Sequence, residues 1–137
     1  MNRSESREAA FKLLYSIQIL KDANIEEQTQ LFVEDQEIKD NDAKKYISDV
    51  IEGITKNNDE IEKIISENIK EGWTISRILK VDLTLLKLGI YEILFSKLPY
   101  KVVINEVVEL SKKYGDDASK SFINGVLASV IKKNNID

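Results

Sequence analysis

The 137-residue chain carries 42% hydrophobic and 32% charged residues with a net charge of −4, enough apolar content for one compact core in a domain of ordinary size. It has no cysteine and no histidine, which excludes disulfide staples, thiolate nucleophiles, zinc fingers and imidazole bases, and with them most familiar enzymes. The N-terminus MNRSESREAAFKLLYSIQIL alternates charged and apolar residues, and no run of about 18 apolar residues occurs, so the chain is expected to be soluble and cytoplasmic, without membrane attachment.

Apolar residues recur at spacings of three and four almost throughout, and one proline and five glycines leave few breakers, which predicts an all-α protein. The stripe Ala10, Phe11, Leu13, Leu14, Ile17 and Leu20 predicts a first helix over residues 4–21, entered through Ser4 or Ser6 as caps. Leu31, Phe32 and Ile38 mark a second near 25–37, and Ala43, Tyr46, Ile47, Val50, Ile51 and Ile54 a third. Asn57-Asn58-Asp59 ends that helix and caps a fourth, which presents Ile61, Ile64, Ile65 and Ile69.

Glu71-Gly72-Trp73 interrupts the pattern, and Ile75 to Leu79 reads as one helical turn with the indole packed beneath it. The stretch from Asp82 to Ser96, DLTLLKLGIYEILFS, is apolar nearly all round, as expected of a helix enclosed by its neighbours. Pro99 lies in the next connection; Val103, Val107, Leu110 and Tyr114 mark a further helix, closed by Gly115, and Ile123, Val126, Leu127 and Val130 a last one capped by Asp116 or Asp117. The expected architecture is a single domain over residues 1–137 with about seven helices in two packed helical subdomains, divided near 71/72.

Charge is unevenly spread: residues 1–21 carry +2, residues 22–71 carry −9 and residues 72–137 carry +3, so both ends are mildly basic. Arg3 and Arg7 lie four apart and share a helix face if the helix extends that far, placed to grip phosphates near a helix N-terminus; the competing reading pairs them with Glu8 or the acidic middle. Phe122 falls about 90° from the centre of its apolar stripe, two residues after Lys120, which suits base stacking beside a cation or, equally, closure of the core margin. Tyr15 sits at the margin of the first stripe, suited to a protein interface or to the core. Lys87, in an otherwise apolar helix, must extend to water or a partner. Asn105, Glu106 and Glu109 read as a solvated face rather than a metal site, and Asn124-Gly125 as a place of close helix contact.

Taken together, Arg7-Glu8, Leu14-Tyr15-Ser16 with Gln18, DLTLLKLGIYEIL, LPYKVVINEVVELSKKYG and SFINGVL, in this order and spacing, resemble the NusB family of transcription antitermination factors from about Arg3 to Ile131. The resemblance implies a NusB-like bundle without catalysis or cofactor. It implies binding of the boxA element of nascent ribosomal RNA together with NusE, a small-subunit ribosomal protein, and assembly with RNA polymerase and other Nus factors. It places RNA contacts on Arg3 and Arg7, further ones on Lys87, Lys120 and Phe122, and partner contacts on Tyr15 and Asp82. Family members often carry a cluster of N-terminal arginines, whereas this chain has two, interleaved with Ser4, Glu5 and Ser6, so RNA binding is expected to rely on the partner. Two alternatives stay open: a helical protein-binding or homodimerisation module with no RNA binding of its own, and a carboxylate enzyme.

Overall fold

The computed structural model describes residues 1–20 and 22–136 of the chain. Among the described residues, seven α-helices, one 3₁₀ turn and one π-helical turn make up the regular structure. They form two compact units, Met1–Lys56 and Asn57–Asp137, a division that falls one helix earlier than 71/72.

The first unit holds α1 (Arg3–Ile19), α2 (Ile25–Asp35) and α3 (Asn41–Lys56). The expected end of α1 at Lys21 lies outside the described residues. Its start is a capping box on Asn2 rather than Ser4 or Ser6: Asn2 Oδ1 accepts from the Glu5 amide at 2.8 Å, and Glu5 Oε1 accepts from the Asn2 amide at 2.9 Å. Asn24 caps α2 through the Glu27 amide at 2.9 Å, and Asp40 caps α3 through the Asp42 amide at 2.9 Å. The hydrogen bond from the N-terminal amine is the main cause holding the Asp40 carboxyl below its usual range.

α1 packs on α3, and their apolar stripes, Ala10, Phe11, Leu13 and Leu14 on one and Ala43, Ile47, Val50, Ile51 and Ile54 on the other, are buried. Each fully buried Leu or Ile stabilises by about 2 kcal/mol relative to exposure, so this seam carries the unit. α2 rests on both helices yet contributes no buried residue.

The second unit holds α4 (Asn58–Glu67), a 3₁₀ turn (Ile75–Arg77), α5 (Lys80–Ile90), a π turn (Tyr91–Phe95), α6 (Tyr100–Tyr114) and α7 (Ser119–Lys133). Helix α4 belongs here because it packs on α5 and is tied to α7, with Ser129 Oγ donating to Asn68 Oδ1 at 2.7 Å and Lys133 Nζ to the Glu67 carbonyl at 2.5 Å. Asn57 occupies the N-cap position of α4 without a side-chain cap bond.

Helix α5 is the central element, as its apolar circumference predicts: every residue from Asp82 to Ile90 is buried, and α4, α6 and α7 all pack on it. Its continuation departs from the expected regular helix, since the Ser96 amide reaches back five residues to the Tyr91 carbonyl at 3.0 Å. Close helix contact occurs at Gly89 rather than Gly125. A Cβ on Gly89 would stand 3.2 Å from Leu127 Cδ1, whereas one on Gly125 would have nothing within 4 Å. Gly115 ends α6 in extended backbone, φ −92°, not in the left-handed conformation expected of a C′ glycine; a Cβ there would lie 2.5 Å from Ser119 Oγ, which is why the position takes glycine. Beyond it Asp116 Oδ1 accepts from the Ala118 and Ser119 amides at 3.0 and 3.1 Å, and Ser119 Oγ accepts from the Asp116 amide at 3.0 Å, closing the α6–α7 turn on itself.

Candidate nucleic-acid interface

In the first unit, Arg3 and Arg7 occupy successive turns of α1 but stand in different environments. Arg3 is exposed, with its guanidinium carbon 4.1 Å above the Tyr46 ring, a cation–π contact that orients the group while leaving its hydrogen-bond donors accessible. Arg7 is only 2% exposed, so the shared open face expected of the pair does not exist. Burial of a guanidinium requires internal partners, and this one acts as part of the packed structure. Tyr15 is half-buried, its ring 6.2 Å from that of Phe11, one turn earlier on α1.

In the second unit, Lys87 is 5% exposed and does not reach solvent. Its Nζ donates to Asn58 Oδ1 at 2.8 Å and to Glu62 Oε2 at 2.9 Å, and Asn58 Nδ2 donates to the same carboxylate at 3.4 Å. Burial works to raise the Glu62 carboxyl, but the bonds from Lys87 and Asn58 outweigh it and leave the group below its usual range. The lysine on the apolar helix therefore closes a polar knot between α4 and α5, and the expected open side of α5 is covered at this point.

Asp82, in the first turn of α5, is 5% exposed, and its Oδ1 is buried without a hydrogen-bond partner. Burial pushes its carboxyl above the usual range; Ser119 works against that rise, and the charge of Asp116 adds to it. The unpaired oxygen is enclosed within the second unit, so it adds a local destabilisation there rather than an open acceptor at the surface.

Lys120 is exposed in the first turn of α7, and Phe122 is half-buried, in agreement with its angular position on the helix. The expectation for Trp73 is not met. Instead of lying beneath the 3₁₀ turn, Trp73 is 47% exposed, with its ring centroid 6.3 Å from that of Phe122 and the planes inclined by 34°. Gly72, at φ +89°, makes the turn that brings it there, and the Trp73 amide donates to the Lys70 carbonyl at 3.0 Å. The breaker Glu71-Gly72-Trp73 was the available signal, since a left-handed glycine next to an aromatic turns the side chain out of the helical register.

A cleft of about 420 Å³ between α2 and α3 is lined by Ile25, Val33, Lys44, Glu26, Glu34 and Glu52 among others, an acidic lining that repels phosphate. The basic and aromatic groups suited to RNA lie elsewhere. In the first unit that group is Arg3; in the second it is Lys120, Phe122 and Trp73.

The model of the NusB family matches residues 4–132. The transcription antitermination protein NusB of Acetivibrio thermocellus is 47% identical over 133 residues, spanning 96% of this chain and 90% of that protein. The NusB of Clostridium novyi is 41% identical over 139 residues, spanning 96% and 99%. Among solved structures, T. maritima NusB superposes with a TM-score of 0.89 at 33% identity, covering 97% of this chain and 92% of that one. A chain from the crystal structure of the antitermination factors NusB and NusE in complex with double-stranded RNA superposes with a TM-score of 0.87 at 31% identity, covering 96% of both.

Proposed function

The chain belongs to the NusB family, and from that premise we propose that it is a cytoplasmic transcription antitermination factor acting by binding rather than catalysis. As a single domain it takes up boxA-type RNA of ribosomal RNA transcripts together with NusE, and the assembly joins RNA polymerase with other Nus factors. The observation that carries this reading is the match of fold and sequence across nearly the whole chain to a protein solved with both NusE and RNA. No described helix is long and apolar enough to cross a membrane.

The distribution of charge gives the mechanism its form. With Arg7 and Lys87 buried, the cations available to phosphates among the proposed contacts reduce to Arg3 and Lys120. Each phosphate neutralised on a single strand contributes a slope of about −0.7 in log affinity against log salt, so the chain alone binds RNA weakly and with a shallow slope. Adding NusE enlarges the contacted surface and makes the second binding event effectively intramolecular, so affinity rises steeply when both proteins are present. On the partner side, Tyr15 offers a half-buried amphipathic ring, whereas Asp82 is as buried as Lys87 and would contact NusE only if its surroundings open.

Fluorescence anisotropy of a labelled boxA-like RNA, titrated with the chain alone and with NusE over a salt series, tests the reading. Partner-enhanced, salt-sensitive binding supports it. No specific RNA binding in either condition, accompanied by strong self-association, overturns it in favour of a protein-only module.

A further inference from the structure

Trp73 is the chain's single tryptophan, and it stands at the surface rather than in the core. Nearly half of the residue is open to solvent, yet its backbone is held by the Gly72 turn and by the hydrogen bond its amide donates to the Lys70 carbonyl, and its ring lies against that of Phe122. Isolated exposed aromatics are ordinary on protein surfaces. Two aromatic rings in contact, both partly open to water and both on fixed backbone, form a joined π surface.

The charges around that surface favour a nucleic acid over a protein partner. The segment 70–80 carries three basic residues against one acidic, and Arg77, one turn beyond Trp73, is exposed. Lys120 is exposed two residues before Phe122 on α7, and neither it nor Arg77 is held in an ion pair among the described residues. The exposed Asp116 and Asp117 offset Lys120 at the start of α7, so the basic excess beside the rings comes from the segment 70–80. An aromatic face bordered by unengaged cations is the arrangement that holds a single strand, the ring stacking a base of any sequence and the cations meeting its phosphates.

We propose that Trp73 is an RNA contact of this chain, its exposed indole face stacking an unpaired nucleobase beside Phe122 while Arg77 and Lys120 engage the adjoining phosphates. The proposal rests on the RNA-binding reading above and adds to it a residue, a contact type and a requirement for unpaired RNA. Bases within a duplex have their faces covered by neighbours, so the contact is made only where a base is splayed out.

The single tryptophan makes the test direct. Intrinsic emission is followed while the protein is titrated with an unlabelled single-stranded boxA-like oligonucleotide, and anisotropy of a labelled copy is measured in parallel for wild type, Trp73→Leu and Trp73→Phe, with and without NusE. Base stacking quenches the indole with the same saturation curve as the anisotropy. Loss of one stacked base lowers affinity about tenfold in Trp73→Leu and less in Trp73→Phe, with little change for a hairpin RNA that lacks unpaired bases. Far-ultraviolet circular dichroism confirms that the variants keep their helix content. Binding reported by anisotropy without quenching, and unchanged in Trp73→Leu, overturns the proposal and leaves the antitermination reading standing. Absence of RNA binding in every condition overturns both.

Discussion

Lys87 and Glu62 meet across α5 and α4 with 2.9 Å between ammonium and carboxylate, the lysine buried and the glutamate side chain 36% exposed. The desolvated member is thus the cation, and its partner keeps part of its hydration. Removing the carboxylate in Glu62→Ala strands a buried charge, which costs about 3 kcal/mol in a closed site and less here because water reaches Glu62. Lys87→Met removes the charge and keeps the stem, so its loss is expected to be about 1 kcal/mol or less. Urea unfolding of the two variants should therefore rank Glu62→Ala as the less stable. Equal RNA affinity of Lys87→Met and wild type, measured beside it, identifies Lys87 as a structural cation.

The two perturbed carboxyls of the second unit have opposite signs in their pH dependence. Glu62 is lowered on folding, so its stabilisation is present above the unfolded carboxylate range and is lost as pH falls through its folded value. Asp82 is raised, so folding carries a penalty that appears as pH climbs from the ordinary aspartate range to the raised value and is complete above it. Wild type should therefore gain stability relative to Asp82→Asn as pH falls through that window. Melting temperatures of the pair between pH 7 and pH 4 check this, and a constant difference would mean that Asp82 titrates normally.

Two glycines on buried and open helix faces should respond oppositely to a methyl group. Gly125 lies exposed within α7 with nothing near its missing Cβ, so Gly125→Ala should stabilise by about 0.5–1 kcal/mol through helix propensity. At Gly89 even a Cβ presses on Leu127, and Gly89→Val should cost about 2 kcal/mol or more by forcing α5 and α7 apart. Thermal melts of the two variants, shifted in opposite directions, are the expected result.

The arginines of α1 should separate by assay. Arg3→Ala is expected to weaken RNA binding a few-fold, reduce the salt slope by about 0.7 and leave the melting temperature within a degree or two. Arg7→Ala should lower stability by about 2 kcal/mol, because a buried, internally bonded group is lost. A variant of Arg7 that folds as well as wild type but fails to bind RNA would reverse that assignment.

Helix positions were legible in the sequence because a core-facing stripe repeats with the helical period, and the all-round apolar run from Leu83 to Ile90 announced the enclosed helix. What periodicity does not encode is the fate of a polar residue near a stripe. Arg7 and Lys87 carry the residue types of a nucleic-acid surface, yet both are buried, and that depends on the groups packed over them. The cap at Asn2 is not legible from residue type, because Ser4 and Ser6 are equally good cap residues, and the backbone conformation at residue 2 decides among them. Trp73 was misplaced because its direction is set by a single left-handed glycine, a property of one dihedral angle rather than of a pattern.

Helix α2 is joined to its unit without lending it a buried side chain. Its attachment therefore contributes little to the cooperative melting of α1 and α3, and its amides should open to solvent by local fluctuation well before the seam between those helices yields. For an engineer this makes it a tolerant site: a fluorophore, an affinity handle or an altered charge on its outer turns meets no core to disturb. Substitutions on this stretch meet weak packing constraint, while Ile47 and Ile51, facing inward on α3, are held to shape and volume.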